Sequence, residues 1–223
     1  GGLLVAYPEQ TTTANNSGCW NWFQKGDQQR EQGEPSLIAG ITRQIMTEFQ
    51  VDAHRLYVAG LSAGGAMAAL VAVAYPDLFA AVGVHSGIPL GAAHDLPSAL
   101  QAMQRGCEGA RSVTTDQMVP LILFHGDRDS TVNPRNAAEF IRQWTTGPDD
   151  PKVELRRGHV TDGRDYTCTS YRDLTDRVFL EQWIVHGASH AWSGGSSNGS
   201  FTDPAGPNAS GELLRFFQEH PRA

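Results

Sequence analysis

The segment that decides the fold reads Tyr57-Val58-Ala59-Gly60-Leu61-Ser62-Ala63-Gly64-Gly65. It begins as an apolar strand, and the Ala-rich run that follows it, Ala66–Ala74, predicts a buried helix. A serine between two glycines at a strand-to-helix junction is typical of a tight turn that holds the hydroxyl exposed and strained. The sequence therefore predicts a nucleophilic Ser62, with Gly60 and Gly64 allowing the backbone to approach closely. The alternative, a chance turn, is disfavoured by the flanking strand and helix.

The same turn predicts a donor for a developing negative charge. The first N–H groups of a helix have no partner within the helix, and the helix dipole is positive at that end. We therefore expect the backbone N–H of Ala63 to point toward an oxyanion formed at Ser62.

A serine hydroxyl is a weak nucleophile and requires a base that is itself oriented by a carboxylate. Where this turn occurs in catalysis, the chain order is serine, then acid, then histidine. Two aspartates, Asp127 and Asp129, follow the apolar run Pro120–His125. Asp127 directly follows the strand end and is placed to accept backbone N–H groups. Asp129 lies farther into the loop, where it can reach a histidine, and is the favoured acid.

The candidate base comes from the segment after the apolar run Val178–Val185. His186 ends that strand and is predicted to be structural, whereas His190 lies in a Gly-containing loop that can bring its imidazole over Ser62. The spacing of the two histidines also suggests a metal pair, but Gly187 and the loop setting disfavour it. His85 and His125 end strands and are predicted to be hydrogen-bonded structural residues.

Strand and helix signals alternate along the chain, which predicts βαβ crossovers and a mainly parallel sheet covered by helices on both faces. The predicted strands are Leu3–Tyr7, Arg55–Gly60, Ala80–His85, Pro120–His125 and Val178–Val185. The predicted helices are one that begins at Pro35, Ala63–Ala74, Asn136–Trp144 and Gly211–Glu219 with Ser210 as its N-cap. Residues 151–177 do not follow the alternation of strands and helices, and their pattern predicts an antiparallel edge meander or a cap-like excursion. Residues 193–211 are predicted to form a long loop.

Length and composition favour one ordinary domain over residues 1–223. The formal net charge of −7 and the absence of a basic run argue against nucleic acid or anionic membranes as partners. No apolar stretch reaches the ~18 residues of a membrane span. Cys19, Cys107 and Cys168 fit no metal spacing, so we expect no metal site. Either Cys107 and Cys168 form a disulfide or all three thiols are free.

Several segments together resemble the poly(3-hydroxybutyrate) depolymerase/feruloyl esterase family of α/β hydrolases. The resemblance covers nearly the whole chain, and its Cys-Trp-Asn-Trp-Phe and His-Ala-Trp segments are far more specific than Gly-x-Ser-x-Gly. The segments are Tyr7–Gln10, Ser17–Phe23, Ala59–Met67, His85–Gly87, Gly187–Gly195 and Thr202–Pro204.

The resemblance implies a three-layer α/β-hydrolase sandwich and a carboxylic ester hydrolase that needs no cofactor. It implies substrates among hydroxyalkanoate polyesters, their oligomers, and short-chain, aryl or acyl esters. Mapped residue by residue, it supports Ser62, Asp129 and His190 as the catalytic triad. It also makes a secreted protein more expected than a cytoplasmic one.

The sequence departs from the family at its start. Members normally begin with several more strands, one of which ends in a His-Gly-Cys-type loop that supplies a second oxyanion N–H. This sequence begins after that point, so we expect an N-terminally shortened sheet with Ala63 as the one nameable donor. Cys19 would then lack its partner in that loop. A shortened sheet edge also leaves unpaired backbone groups that favour a homodimer.

Three tryptophans suggest the surface that contacts the ester. Trp20 and Trp22 lie in a polar loop, Trp192 lies two residues past His190, and flat rings suit a polyester chain or an aromatic group. Core packing is the alternative for Trp22. Two other functions stay open: a non-catalytic module that binds polyesters or glycans, and an acyltransferase that uses the same triad.

Overall fold

The computed structural model describes residues 2–110, 118–147 and 150–222. The strands of its central sheet are β1 Tyr57–Leu61, β2 Ala81–His85, β3 Leu121–Gly126, β4 Lys152–His159, β5 Asp165–Arg172 and β6 Val178–Val185. The helices are α1 Gly33–Glu48, α2 Ala63–Ala74, α3 Leu96–Arg105, α4 Arg135–Thr145 and α5 Ala209–Glu219, with a 3₁₀ turn at Lys25–Asp27. Two short strands, β7 Trp192–Ser193 and β8 Thr202–Asp203, pair with each other inside the predicted long loop.

The sheet has the order β1-β2-β3-β6-β5-β4. β1, β2, β3 and β6 are parallel, whereas β5 and β4 are antiparallel to their neighbours. The mainly parallel sheet and the antiparallel meander are therefore confirmed. The connections explain the change of direction, because the short turns between β4, β5 and β6 can only reverse the chain, whereas a parallel pair needs a long crossover.

Helices cover both faces of the sheet. In β3, Leu121 and Leu123 join the core that α1 to α4 share, while Ile122 and Phe124 join the core beneath α5. Both faces are therefore buried, which is why β3 reads as a continuous apolar run. This is the predicted three-layer α/β sandwich.

The expected first strand is wrong. Leu3–Tyr7 belongs to no strand, and the side chain of Tyr7 is 89% exposed. Among the described residues, this segment makes no backbone hydrogen bond to the sheet. A strand exists only through its partner, so a short apolar run does not by itself define one.

One helix was missed and one cap misplaced. α3 begins after Asp95, whose carboxylate accepts the N–H of Ser98 at 2.8 Å in a capping box followed by a proline. α5 begins earlier than expected because Asn208, not Ser210, is its N-cap and accepts the N–H of Gly211 at 3.0 Å.

The three cysteines are free thiols, so the Cys107–Cys168 disulfide is not formed. Within the described ranges, no cluster of three or more His, Cys, Asp or Glu side chains could hold a metal ion. A search of the same residues for a helix both long and apolar enough to cross a membrane finds none.

Candidate active site

Ser62 lies between the end of β1 and the start of α2 in a strained conformation. Its φ of 58° and ψ of −122° place it at positive φ, where residues other than glycine are uncommon. The strain is held by the sheet, because the Ser62 N–H donates to the backbone carbonyl of His85 at 2.9 Å. Backbone strain that the surroundings maintain is characteristic of functional positions.

Two glycines allow the close backbone approach in this turn, and one of them, Gly60, is among the two that we predicted. A Cβ on Gly60 would lie 2.2 Å from the backbone carbon and oxygen of Gly64, so this position requires glycine. A Cβ on Gly64 itself would meet nothing within 4 Å, so the expected role of Gly64 is wrong. Gly65 takes that role, because a Cβ there would lie 2.9 Å from the carbonyl oxygen of Gly60.

The backbone N–H of Ala63 is the first donor of α2. Ala63 begins the helix and Ser62 is its N-cap, without a side-chain cap hydrogen bond. The N–H of Ala63 therefore has no acceptor within the helix and belongs to the residue after Ser62, at the positive end of the helix dipole. These are the properties that an oxyanion donor requires.

Asp129 and His190 meet beyond the ends of β3 and β6. His190 Nδ1 lies 2.7 Å from Asp129 Oδ2, and the side chain of Asp129 is fully buried while that of His190 is 10% exposed. The other carboxylate oxygen, Asp129 Oδ1, accepts the N–H groups of Thr131 at 2.9 Å and Val132 at 2.8 Å. Each oxygen of the carboxylate thus has a defined partner, and the imidazole is held in one orientation.

The pKa of Asp129 lies below its usual value. Burial by itself raises the pKa of this carboxyl, but the hydrogen bond from His190, the N–H of Val132 and the electrostatic interaction with the nearby imidazoles of His190 and His125 outweigh it. Asp129 is therefore ionised at neutral pH, as a carboxylate that orients and stabilises an imidazolium must be.

Asp127 and His186 form a second carboxylate–imidazole pair close by. His186 Nδ1 lies 2.9 Å from Asp127 Oδ2, and Asp127 Oδ1 accepts the N–H of Gly187 at 2.7 Å. His186 Nε2 is already bonded to the hydroxyl of Thr167 at 2.9 Å. This imidazole therefore has both nitrogens occupied, and Asp127 binds a backbone amide as its position predicted.

His85 links the nucleophile turn to the histidine loop. Besides its carbonyl bond to Ser62, its Nε2 accepts the backbone N–H of Ser193 at 3.0 Å. Because a backbone N–H can only donate, Nε2 carries no proton and Nδ1 does, facing Ser86 Oγ at 3.1 Å. Burial lowers the pKa of His85 to about 3, so the ring is neutral in the folded protein at neutral pH.

His125 lies beneath the carboxylate of Asp129. Its Nε2 is 2.9 Å from the carbonyl oxygen of Val132 and 3.5 Å from Asp129 Oδ2, so Nε2 carries the proton. Burial lowers the pKa of this histidine too, and its buried Nδ1 has no hydrogen-bond partner among the residues that the structure describes. The structural roles expected for His85 and His125 therefore hold, but the sequence did not indicate that both contact the candidate triad.

The structure separates the three candidate substrate-binding tryptophans. Trp22 is 5% exposed and belongs to the core, so its expected contact with substrate is wrong and the core-packing alternative applies. The cause lies in the preceding residue. The backbone N–H and the side-chain amide of Asn21 donate to the buried carboxylate of Glu34 at 2.6 and 2.7 Å, and this anchoring turns Trp22 toward the core. Trp20 is half-buried against that core.

Trp192 remains beside the site. Its ring stacks on that of His85 with centroids 5.2 Å apart, and its Nε1 donates to Ser210 Oγ at 3.1 Å. The ring is half-buried and therefore offers one part of its surface to a ligand.

Ser62, Asp129 and His190 thus follow three parallel strands, β1, β3 and β6, at their carboxyl ends, which is where α/β sheets bind ligands. Within the described part of the chain, neither the hydroxyl of Ser62 nor Nε2 of His190 makes a hydrogen bond, so both are free for chemistry. Such contacts are often long without substrate and tighten in the reacting complex.

A family model described as esterase PHB depolymerase matches residues 1–147, well over half of the chain. The chain belongs to the esterase PHB depolymerase family. The matched residues include Ser62 and Asp129, whereas His190 lies beyond them, so its assignment depends on its contact with Asp129 and on the motif around it.

Two curated relatives illustrate the family. Poly(3-hydroxyalkanoate) depolymerase C of Paucimonas lemoignei is 34% identical over 154 residues, which cover 64% of this chain and 37% of the relative. Feruloyl esterase B of Thermothelomyces thermophilus is 29% identical over 161 residues, which cover 65% of this chain and 54% of the relative. The chain therefore matches only about a third to a half of the length of these relatives.

The fold has a solved counterpart. The acetyl xylan esterase from Aspergillus awamori superposes with a TM-score of 0.64 at 20% identity, covering 91% of this chain and 73% of that one. At that identity the likeness supports the fold alone, which is an α/β-hydrolase fold.

Proposed function

We propose that this chain is a serine carboxylic ester hydrolase, with Ser62 as nucleophile, His190 as general base and Asp129 as the carboxylate that orients it. The observation that carries the proposal is the 2.7 Å hydrogen bond between His190 Nδ1 and the buried carboxylate of Asp129. An imidazole that donates Nδ1–H to a carboxylate keeps Nε2 as an acceptor, which a general base requires. The strained turn at Ser62 supports the same assignment.

Acylation uses the groups that the three strand ends supply. Ser62 Oγ attacks the carbonyl carbon of the ester while His190 Nε2 takes the hydroxyl proton. The negative charge on the tetrahedral oxygen is stabilised by the N–H of Ala63 and the positive end of α2. As the C–O bond to the leaving alcohol breaks, His190 returns its proton to that alcohol, and the acyl group remains on Ser62.

Deacylation repeats these steps with water. His190 Nε2 takes a proton from a water molecule, whose oxygen attacks the acyl carbon, and the same N–H of Ala63 receives the second oxyanion. Collapse of this intermediate breaks the bond to Ser62 Oγ and returns the proton to it, which releases the carboxylic acid. Asp129, ionised and buried, stabilises the imidazolium at both stages.

We infer short-chain, aryl or hydroxyalkanoate esters as the substrate class. Relatives named as a poly(3-hydroxyalkanoate) depolymerase and a feruloyl esterase support this range. The half-buried ring of Trp192, which stacks on His85 beside the histidine loop, supports an apolar or aromatic acyl group.

The test is hydrolysis of p-nitrophenyl acetate, butyrate and octanoate by the parent chain and by Ser62→Ala and His190→Ala. The parent is expected to hydrolyse at least one ester, and each variant to lose at least about 10³-fold in kcat. A fluorophosphonate probe is expected to label the parent on Ser62 and to leave Ser62→Ala unlabelled.

Each other outcome points to a different function. If the parent and Ser62→Ala are equally inert and neither is labelled, the catalytic proposal fails and a non-catalytic ester- or glycan-binding module remains. If an added alcohol takes up the acyl group in preference to water, the protein is an acyltransferase that uses the same residues.

A further inference from the structure

We propose that Asp127 and Arg164 are positioning residues that clamp Gly187 from both sides and thereby set the position of His190. The inference rests on the proposed function, because it assigns a role in placing the general base. In the described part of the chain, neither side chain forms a hydrogen bond or ion pair with Ser62, Asp129 or the imidazole of His190. They act through the backbone of the loop between β6 and His190.

The clamp grips a single residue at both its polar backbone atoms. Asp127 Oδ1 accepts the N–H of Gly187 at 2.7 Å, and Arg164 Nη1 donates to the carbonyl oxygen of Gly187 at 2.7 Å. A carboxylate thus meets the donor and a guanidinium meets the acceptor, and charge-assisted hydrogen bonds of this kind are stronger than neutral ones. Gly187 has a φ of 73°, a conformation that suits glycine.

Each side of the clamp is itself fixed. Asp127 is held by His186 through its second oxygen, and His186 is held in turn by Thr167 on β5. Arg164 forms an ion pair with Asp203, which lies on β8 beyond the histidine loop. Its backbone N–H also donates to Ala205 at 2.9 Å. The turn between β4 and β5 is therefore tied both to the histidine loop and to the segment after it.

The far side of the loop rests on the end of β3. The N–H of Arg128 donates to the carbonyl oxygen of Ala188 at 3.0 Å. A Cβ on Gly126 would lie 2.4 Å from that same oxygen, so the two backbones are in direct contact. The loop Gly126–Asp129 therefore delivers Asp129 to the imidazole and supports the backbone that carries it.

The clamp can affect catalysis because Gly187 is close to His190 in the chain. His190 is three residues past Gly187, and its ring must satisfy Asp129 on one side and Ser62 on the other. Misplacement of a catalytic group by about 1 Å costs on the order of 10²-fold in rate. The clamp also gives the antiparallel strands β4 and β5 a function, because Arg164 in the turn between them binds the carbonyl oxygen of Gly187.

The experiment compares Asp127→Ala, Asp127→Asn and Arg164→Ala with the parent. Kinetics on p-nitrophenyl acetate separate kcat from KM, and amide hydrogen exchange of the peptide spanning residues 186–192 reports the loop directly. Asp173→Ala is the matched control, because Asp173 also caps a turn through backbone N–H groups, those of Thr175 and Arg177, but at the opposite end of the sheet.

We expect Asp127→Ala and Arg164→Ala to lower kcat about 10- to 100-fold with KM within about twofold, and to speed exchange of the loop. Asp127→Asn keeps an oxygen for the N–H of Gly187 and is expected to stay within about threefold of the parent in kcat. Asp173→Ala is expected to keep the kcat and the loop exchange of the parent.

The proposal is overturned if Asp127→Ala keeps the kcat of the parent, whether or not loop exchange changes, or if Asp173→Ala lowers kcat equally. The proposed function fails in a different way, by a parent that is inert and unlabelled at Ser62. In that case loop exchange alone decides whether Asp127 and Arg164 hold Gly187, since exchange needs no activity.

Discussion

The two carboxylate–imidazole pairs at this edge of the sheet have nearly the same contact and different surroundings. Asp129 and His190 meet at 2.7 Å with side chains 0% and 10% exposed, whereas Asp127 and His186 meet at 2.9 Å with side chains 37% and 42% exposed. The four residues come from the same two loops. The contact distance alone therefore does not show which of the two pairs is suited to catalysis.

The difference lies in what the second imidazole nitrogen faces. His186 Nε2 is occupied by Thr167, so this pair ends in a structural hydrogen bond. His190 Nε2 makes no hydrogen bond within the described part of the chain and belongs to a loop that His85 joins to the Ser62 turn. Burial adds to this, because charges interact more strongly where water is excluded. The buried pair is suited to move a proton, and the half-exposed pair to hold a loop.

The largest loss of activity is expected for Asp129→Asn, compared with the same substitution at Asp127 in the other pair. Asp129→Asn keeps an oxygen for the N–H groups of Thr131 and Val132, but its amide can oppose the Nδ1–H of His190 and favour the wrong tautomer. We expect kcat on p-nitrophenyl acetate to fall about 10³- to 10⁴-fold. Asp127→Asn is the internal control, and equal losses in the two variants would remove the distinction between the pairs.

The second-largest effect is expected for Gly126→Ala. The added Cβ would push the loop after β3 away from the loop after β6, and both Asp–His pairs are formed between these two loops. Its Cβ would lie 2.4 Å from the carbonyl oxygen of Ala188 and 2.9 Å from that of Ser189, and backbone atoms cannot rotate away. We expect kcat/KM to fall on the order of 10²-fold and the free energy of unfolding to fall by about 1–3 kcal/mol.

Gly40→Ala is the control for this substitution. Gly40 lies in α1, where a Cβ meets nothing within 4 Å. Alanine there should raise the free energy of unfolding by about 0.5–1 kcal/mol without changing activity, as urea denaturation measures. If Gly126→Ala were as harmless as Gly40→Ala, the contact between the loops would not position His190.

The next prediction concerns how the free energy of unfolding depends on pH through the buried His85. Burial lowers the pKa of His85 to about 3 from an ordinary 6.5. At pH values between these two, the unfolded chain therefore binds a proton at His85 that the folded chain does not bind. This contribution to stability is complete above pH 6.5 and is lost as the pH falls toward 3. The free energy of unfolding should fall by about 1.4 kcal/mol per pH unit for each such proton.

His85→Gln tests this dependence. The variant lacks the titrating ring, so its deficit in the free energy of unfolding relative to the parent should shrink between pH 7 and pH 5 in urea denaturation. A deficit that is the same at both pH values would contradict a neutral, buried His85.

The smallest effect is expected for His186→Asn. Asparagine can still offer an amide N–H to the second oxygen of Asp127, Asp127 keeps its bond to the N–H of Gly187, and a half-exposed carboxylate–imidazole pair contributes little to stability. We expect kcat/KM within about threefold of the parent and a drop in Tm of a few degrees, measured by circular dichroism. A loss as large as that of Asp129→Asn would mean that the half-exposed pair takes part in the chemistry.

Much of the fold could be predicted because its signals are local. The bounds of α2 and β6 agree with the sequence pattern, since apolar runs and the residues that end them are read along the chain. The apolar run Leu3–Tyr7 does not form the predicted strand, because a strand also needs a neighbouring strand from another part of the chain to pair with. α3 was missed because its few buried residues give a weak pattern, although Asp95, Pro97 and Ser98 carry its start signal.

The candidate site divides in the same way. The motif predicts the turn at Ser62 and the need for glycine at Gly60, but the hydrogen bond that holds Ser62 in its strained conformation joins it to His85 on β2 and could not be read from the motif. The direction of Trp22 was not predictable, since it follows from hydrogen bonds between Asn21 and Glu34 on a different element. Likewise, the sequence placed His85 and His125 at strand ends but did not indicate which groups they contact.

By itself, the sequence predicted a mainly parallel sheet and the order along the chain of the Ser62 turn, an acidic loop and a histidine loop. These properties depend on local conformation and on which residues are apolar, both of which a linear pattern records. The tertiary structure alone decided which Asp–His pair is buried, which imidazole nitrogen lacks a hydrogen bond within the described ranges, and that Asp127 and Arg164 meet at Gly187. Those outcomes depend on contacts between residues far apart in the chain, because burial and hydrogen-bond partners are set only when the strands come together.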